Sequence, residues 1–210
     1  MSVIQTFDES NFNAICNVLA EKDPDISLIL DTYGYPPFWS RAASFETLVH
    51  IILEQQVSLA SARAALNKLQ DKIGYISANN LAALSNEELK ACYFSRQKIV
   101  YVKDLAQAVL KNELNLQTLV LLDNDLARLN LTQIKGIGNW SADVYLMMVL
   151  HRSDLFPIGD IALLTSVKET KKLPKETSRD EITSIANEWK PYRTIAAFIL
   201  WHSYLCRRKK

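Results

Sequence analysis

Two features of the sequence could do chemistry together: a glycine-rich turn and an aspartate downstream of it. Gly136 and Gly138 bracket Ile137 between two helix-forming runs. Such a turn presents backbone N–H groups at the start of the second helix, where the helix dipole favours an anion such as a phosphate. Asp160 then supplies a carboxylate. The combination indicates a protein that binds a nucleic-acid backbone and catalyses a reaction close to it. The glycines alone favour a simple bend between two packed helices.

The rest of the chain predicts an all-helical (all-α) protein that positions these two features. Only five glycines and six prolines interrupt 210 residues, and apolar residues recur mostly at intervals of three and four. Serines precede several of these apolar runs in the position of an N-cap. The predicted helices nearest the two features are Leu121–Leu131 and Asn139–His151, which flank the turn, Arg96–Leu110 before them and Pro191–Tyr204 after them.

Composition excludes several classes of protein. A formal net charge of +1 provides no global attraction to nucleic acid, so any binding must come from locally placed groups. No apolar run approaches the roughly 20 residues of a membrane span, and the first residues lack a signal-peptide pattern. We therefore expect an intracellular protein without a membrane partner, in the cytoplasm or nucleoid of a bacterium or the nucleus of a eukaryote. Cys16, Cys92 and Cys206 lie singly, which argues against a zinc site and a four-cysteine iron–sulfur cluster.

Several segments of the chain resemble a known superfamily. Residues 131–143, LTQIKGIGNWSAD, followed by a proline loop and Asp160, resemble the helix-hairpin-helix (HhH-GPD) superfamily of DNA base-excision glycosylases. Residues 51–60, IILEQQVSLA, are similar to its helix and wedge loop, and residues 189–201 to its closing helix. The resemblance spans residues 44–204 and, within the superfamily, is strongest to the alkylpurine (3-methyladenine) DNA glycosylases.

The resemblance implies removal of a base that has been rotated out of the duplex. Breaking the glycosidic bond develops positive charge on the sugar, and one fixed carboxylate near the sugar suits that charge. Asp160 matches the catalytic aspartate of the family, which implies that it stabilises this charge and orients or deprotonates the attacking water. The alternative for Asp160 is an N-cap of a helix that begins at Ile161.

Position 140 separates two reaction types within the family. Bifunctional members carry a lysine there, whose amine attacks the sugar and forms a Schiff base. This chain has Trp140, with Lys135 on the other side of the turn, so the resemblance implies a monofunctional enzyme that uses water. Trp140 and Trp201 match two aromatic residues of the base pocket, where an indole face attracts a cationic alkylated purine. Core packing is the alternative for either tryptophan.

Two other positions depart from the alkylpurine glycosylases. Val144 and Ile161 stand where those enzymes carry further pocket tyrosines. This difference argues against a broad substrate range and leaves a narrower preference for alkylpurines.

The loop after residue 53 is the segment that the resemblance places in the DNA. Gln56 stands where the family projects a wedge side chain into the gap left by the extruded base, and Ser58 is the second DNA contact expected in this loop. A polar turn between two helices is the alternative for Gln56. Glu54 replaces the more usual glycine of this segment, and the sequence offers no physical reason for the change.

The hairpin itself is expected to bind the DNA backbone. The resemblance assigns backbone carbonyls of Thr132, Ile134 and Ile137 to a structural Na⁺ or K⁺ ion that bridges to a DNA phosphate. It implies no other cofactor and no iron–sulfur cluster. The hairpin residues expected to contact DNA are Lys135, Gly136, Gly138 and Asn139.

We expect a single glycosylase unit, residues 1–210, of two lobes with the catalytic cleft between them. The middle lobe covers residues 44–122, and the second lobe combines residues 1–43 with 123–210, including the hairpin at 123–151. The implied function is that of a monomeric, monofunctional glycosylase that removes alkylated purines, of the 3-methyladenine and 7-methylguanine class, from damaged double-stranded DNA. The alternatives are a glycosylase for another damaged or mismatched base and a non-catalytic module that binds DNA through phosphate contacts alone.

Overall fold

The computed structural model describes residues 5–208, and this part of the chain contains α-helices, one 3-10 helix and no β-sheet. The predicted all-helical fold class is confirmed. None of the helices in this range has both the length and the apolar character needed to cross a membrane. In chain order the helices are α1 (Glu9–Lys22), α2 (Pro24–Tyr33), α3 (Phe45–Glu54), α4 (Leu59–Ile73), α5 (Ala78–Ala82), α6 (Asn86–Ala91), α7 (Arg96–Leu110), the 3-10 helix (Leu119–Leu121), α8 (Asn124–Thr132), α9 (Asn139–Met148), α10 (Ile161–Thr170), α11 (Arg179–Asn187) and α12 (Arg193–Arg208).

The chain divides into two compact units. The terminal unit contains the residues up to Ser40 and those from Leu146 onward, and the middle unit contains Arg41–Tyr145. In the terminal unit, α12 is the central helix, because α1, α2 and α10 all pack against it. Its residues 194–200 are buried without interruption, which gives this helix an apolar surface on nearly every side.

In the middle unit, α3 packs against α4 and α7, and α7 also packs against α5 and α6. Helix α3 is buried almost all round, as its dense apolar sequence predicts. Each helix from α3 to α8 begins behind a side chain that accepts the backbone N–H three residues further on, which satisfies one of the unpaired donors of the first turn. These N-caps are Ser44, Ser58, Ser77, Ser85, Ser95 and Asp123.

The division into units differs from the predicted boundary after residue 122. The first part of the hairpin, residues 123–145, belongs to the middle unit and not with the chain termini. Hydrogen bonds explain this assignment: Gln55 Nε2 donates to the carbonyl of Gly136 (2.7 Å), and the Lys135 N–H donates to Asp104 Oδ2 (2.9 Å). The hairpin is therefore fastened to the end of α3 and to α7, both of which lie in the middle unit.

The two hairpin helices are shorter than predicted. The leucine-rich run at 119–121 forms the 3-10 helix, and α8 starts afresh at Asn124 because Asp123 accepts the Leu126 N–H (2.8 Å) and caps it. Helix α9 ends at Met148, and His151 adopts a left-handed backbone with φ 48° beyond its end.

Candidate functional site

The glycine turn joins α8 to α9 in the middle unit, and its two glycines differ in what they require. Gly136 has φ +89°, a left-handed conformation that glycine adopts without strain, and the ring of Tyr101 occupies the place of a Cβ. Gly138 is exposed, and a Cβ there would meet no atom of residues 5–208 within 4 Å. The fold therefore requires glycine at position 136, whereas only an approaching partner would require it at 138. Ile137 between them is buried and anchors the turn, as predicted.

Helix α9 starts at this turn, and the backbone N–H groups of its first turn could bind an anion. The carbonyl of Gly138 accepts the Ala142 N–H (3.0 Å), which makes Gly138 the N-cap position. Glycine has no side chain with which to cap the first turn, in contrast to the serines and aspartate that precede α3 to α8. Asn139 and the side chain of Lys135 are exposed beside it. The predicted hairpin contacts thus lie together on one turn.

The predicted cation ligands lie on the same turn. The carbonyl of Ile134 accepts the Ile137 N–H (3.0 Å), and a carbonyl oxygen has a second lone pair that a cation can use. Backbone carbonyl oxygens are ligands that suit an alkali cation, and the site at Thr132, Ile134 and Ile137 stays a prediction. Residues 5–208 hold no group of three or more His, Cys, Asp or Glu side chains suited to a metal.

In residues 55–58, the loop between α3 and α4 that the resemblance identifies as the wedge loop, the two adjacent glutamines have opposite surroundings. Gln56 is exposed with a left-handed backbone at φ 57°. Gln55 faces inward, where its Nε2 donates to the Gly136 carbonyl and to the Ser141 hydroxyl (2.9 Å). Ser58 is exposed and caps α4 through the Ser61 N–H (3.2 Å). Sequence reasoning missed Gln55, because nothing in a Gln-Gln pair indicates which side chain faces the protein.

The structure explains why glutamate stands at position 54, for which the sequence alone offered no physical reason. Its carboxylate accepts two hydrogen bonds from the Arg41 guanidinium (2.8 and 2.9 Å), and the side chain is only 7% exposed. His50 Nε2 lies 3.5 Å away, but burial lowers the pKa of His50, so Arg41 is the cation that neutralises Glu54 at neutral pH. The pair fastens the last turn of α3, immediately before the wedge loop, to the segment preceding α3.

Removing one partner of this ion pair should destabilise the protein. Glu54→Ala leaves the partly buried Arg41 guanidinium without its bidentate acceptor, so we expect a loss of about 2 kcal/mol in the free energy of unfolding, measured by urea denaturation at pH 7. The double variant Arg41→Met/Glu54→Leu should recover part of this loss, because no charge then lacks compensation. A Glu54→Ala protein as stable as the wild type would show that the ion pair makes no net contribution to the free energy of unfolding.

Asp160 lies at the start of α10 in the terminal unit. Its Oδ1 accepts the Leu163 N–H (2.7 Å), so the residue is the N-cap of this helix. The same oxygen accepts the indole N–H of Trp201, from α12, at 3.1 Å. Capping does not exclude a catalytic role, because an ionised carboxylate has about four lone-pair sites. The structure brings Asp160 and Trp201 into direct contact.

An aromatic cluster surrounds Trp201 within the terminal unit. Its ring centroid lies 5.9 Å from that of the fully buried Phe198 and 6.4 Å from that of Trp39, with Trp39 tilted by 71°. Trp39 comes from the irregular segment between α2 and α3, and sequence reasoning missed it. A tryptophan in an irregular stretch has no periodic partner that would reveal its neighbours.

The other predicted pocket positions differ in exposure. Trp140 is half-buried as the second residue of α9 in the middle unit. Val144 lies in the core at 3% exposure, whereas Ile161 is 78% exposed on the first turn of α10, beside Asp160.

Several known proteins are similar to this chain. Residues 49–191 match the HhH-GPD superfamily of base excision DNA repair proteins. The chain is 28% identical over 169 residues to a DNA-3-methyladenine glycosylase of Bacillus subtilis, covering 75% of this chain and 56% of that protein. It is 27% identical over 161 residues to DNA-3-methyladenine glycosylase 1 of Schizosaccharomyces pombe, covering 75% of this chain and 71% of that protein.

A solved structure is similar as well. The Schizosaccharomyces pombe 3-methyladenine DNA glycosylase in complex with abasic DNA superposes with a TM-score of 0.83 at 26% identity, covering 90% of this chain and 95% of the other. The chain spans only 56% and 65% of the length of two Bacillus subtilis relatives that it matches. More than half of the chain matches the family, and the protein is therefore a member of the HhH-GPD superfamily of base excision DNA repair proteins.

Proposed function

We propose that the protein is a monofunctional DNA glycosylase that removes alkylated purines, of the 3-methyladenine and 7-methylguanine class, from duplex DNA. The observation that carries the proposal is Asp160, which matches the family's catalytic aspartate and is held by two hydrogen-bond donors beside an aromatic cluster. The 3-methyladenine glycosylases among its relatives support the substrate class. We also propose that the protein acts as a monomer and that it acts inside the cell.

In this proposal the hairpin binds the DNA backbone. The first turn of α9 faces a phosphate, which takes the place of the side-chain cap that Gly138 cannot provide. The exposed Lys135 and Asn139 add sequence-independent contacts. A Na⁺ or K⁺ ion held by the carbonyls of Thr132, Ile134 and Ile137 would add positive charge at the same phosphate, and no cofactor takes part in the chemistry.

The wedge loop fills the gap that base extrusion leaves. Gln56 is exposed at the tip, and its amide can hydrogen-bond the orphaned partner base. Unstacking and unpairing a base costs about a few kcal/mol, so the wedge must hold its conformation. The Arg41–Glu54 pair and the Gln55 hydrogen bonds support the proposal, because they fasten the two residues that immediately precede Gln56.

The proposed chemistry uses the leaving-group properties of a cationic purine. When the C1′–N bond breaks, the bonding electrons neutralise the positively charged base, so no general acid is needed to protonate it. Positive charge moves to the sugar, where the Asp160 carboxylate stabilises it. Water then adds to C1′ and loses a proton to Asp160 or to solvent, which leaves an abasic site. Trp140 and Trp201 supply indole faces for the cationic base.

A base-release assay tests the proposal. Purified protein should release 3-methyladenine or 7-methylguanine from alkylated duplex DNA in single-turnover reactions analysed by chromatography. Release of a deaminated or oxidised base instead would assign a different lesion. Tight binding of abasic duplex, with no release from a panel of damaged bases, would favour the non-catalytic DNA-binding module.

Borohydride trapping tests the monofunctional assignment separately. We expect sodium borohydride to form no covalent protein–DNA adduct during base release, because Trp140 replaces the lysine that would form a Schiff base. A bifunctional glycosylase run in parallel supplies the positive control on a denaturing gel. An adduct mapped to a lysine of this chain would contradict the assignment.

A further inference from the structure

We infer that Trp201 is a positioning residue, whose indole N–H orients the Asp160 carboxylate for the chemical step. This role is distinct from stacking on the base, and it rests on the proposed function. The observation behind it is that two donors from different helices, the Leu163 N–H of α10 and the Trp201 N–H of α12, converge on the same oxygen of Asp160.

The need for a second donor follows from the torsional freedom of aspartate. The outer torsion of an aspartate side chain has a broad, shallow profile, unlike the staggered wells of an alkyl chain. The cap hydrogen bond at 2.7 Å places Oδ1 at the start of α10. A second donor at 3.1 Å, approaching from another helix, further restricts the orientation of the carboxylate. Electrostatic stabilisation depends on such prior alignment, since reorientation during the reaction would cost energy.

The indole ring is itself held in place. Phe198 is fully buried, and its ring is tilted by 31° from that of Trp201 at a centroid distance of 5.9 Å. Trp39 contacts both rings, at 5.4 Å from Phe198 and 6.4 Å from Trp201, and is steeply tilted to each. These contacts fix the ring orientation, so its N–H edge is aimed at Asp160 before any substrate binds.

Stacking and positioning make different predictions for a tryptophan that loses only its N–H. Benzothienylalanine has the same bicyclic shape with sulfur in place of the N–H, so it retains the stacking face and removes the hydrogen bond. Placed at position 201, it should lower the single-turnover rate of 7-methylguanine release by about 10- to 100-fold, the effect of losing one hydrogen bond to a charged group. The affinity for duplex DNA containing an abasic site should stay within about 2-fold.

Trp189 offers a matched control within the same unit. Its indole N–H also donates to an aspartate, Asp23 Oδ2 at 2.7 Å, but it lies in the buried core and outside the proposed site. Benzothienylalanine at 189 should lower thermal stability and leave the release rate, measured well below the melting temperature, unchanged. Trp201→Phe serves as a second variant that keeps an aromatic ring and lacks the N–H.

The outcomes separate the inference from the proposed function. A rate loss at 201 without loss of abasic-DNA affinity, and without a rate loss at 189, supports the inference. Wild-type release rates with benzothienylalanine at 201, or equal losses in rate and affinity, overturn it and leave the proposed function intact. A wild-type protein that releases no alkylated purine overturns both.

Discussion

Asp160→Asn should reduce release of alkylated purines by at least about 100-fold while the protein stays folded and binds abasic duplex DNA. Asparagine is as good an N-cap as aspartate, so its Oδ1 can still accept the Leu163 N–H and the Trp201 N–H. The substitution therefore removes the negative charge and retains the local geometry. Loss of one preorganised electrostatic partner of a transition state costs roughly 10²- to 10³-fold in rate. Single-turnover release at saturating enzyme, with DNA affinity measured by fluorescence anisotropy, checks both parts.

Asp154 supplies the control for this variant. It lies in the same loop before α10, but its carboxylate is engaged by the Arg193 guanidinium at 2.6 and 3.1 Å. Asp154→Asn should weaken that ion pair and lower stability without changing the release rate of the folded protein. An Asp160→Asn enzyme that keeps more than about a tenth of the wild-type rate would remove Asp160 from the chemistry.

Local features of the site could be predicted because short-range patterns encode them. Serine and aspartate caps mark the starts of α3 to α8, and periodic apolar residues mark the helices behind them. The buried Ile137 between two glycines likewise follows from the turn itself. Asp160 was expected either as a cap or as a catalytic carboxylate, and its cap hydrogen bond is compatible with both.

Contacts between distant residues could not be predicted in this way. Gln55 bonds to Gly136 and Glu54 to Arg41, and neither pair has a spacing that a helix or strand period would relate. Which residues meet depends on how whole helices pack, and many faces of similar polarity could pack in other ways. The predicted lobe boundary after residue 122 differed from the structure for the same reason, since the hydrogen bonds of the hairpin run to the end of α3 and to α7.

Gly136→Ala should be among the most destabilising single substitutions in the hairpin, at about 3 kcal/mol or more. A side chain at φ +89° costs about 1–2 kcal/mol in backbone strain. In addition, the new methyl group would overlap the Tyr101 ring, and displacing a packed ring costs about 1–3 kcal/mol. Urea denaturation followed by circular dichroism measures the loss. Repeating the substitution in a Tyr101→Ala background should relieve the overlap and leave the backbone strain, which separates the two contributions.

Gly138→Ala, two residues away, should have the opposite effect: little loss of stability and a clear loss of DNA affinity. Its methyl group would project into open space, so stability should change by only about 0.5 kcal/mol. If the first turn of α9 faces a phosphate, however, the same methyl group lies where the DNA backbone must approach, and affinity for abasic duplex should fall by about 10-fold. Unchanged affinity in a stable Gly138→Ala protein would mean that the turn is only a bend between two helices. A glycine that the fold does not need, but DNA binding does, would instead identify the hairpin as the DNA-binding element.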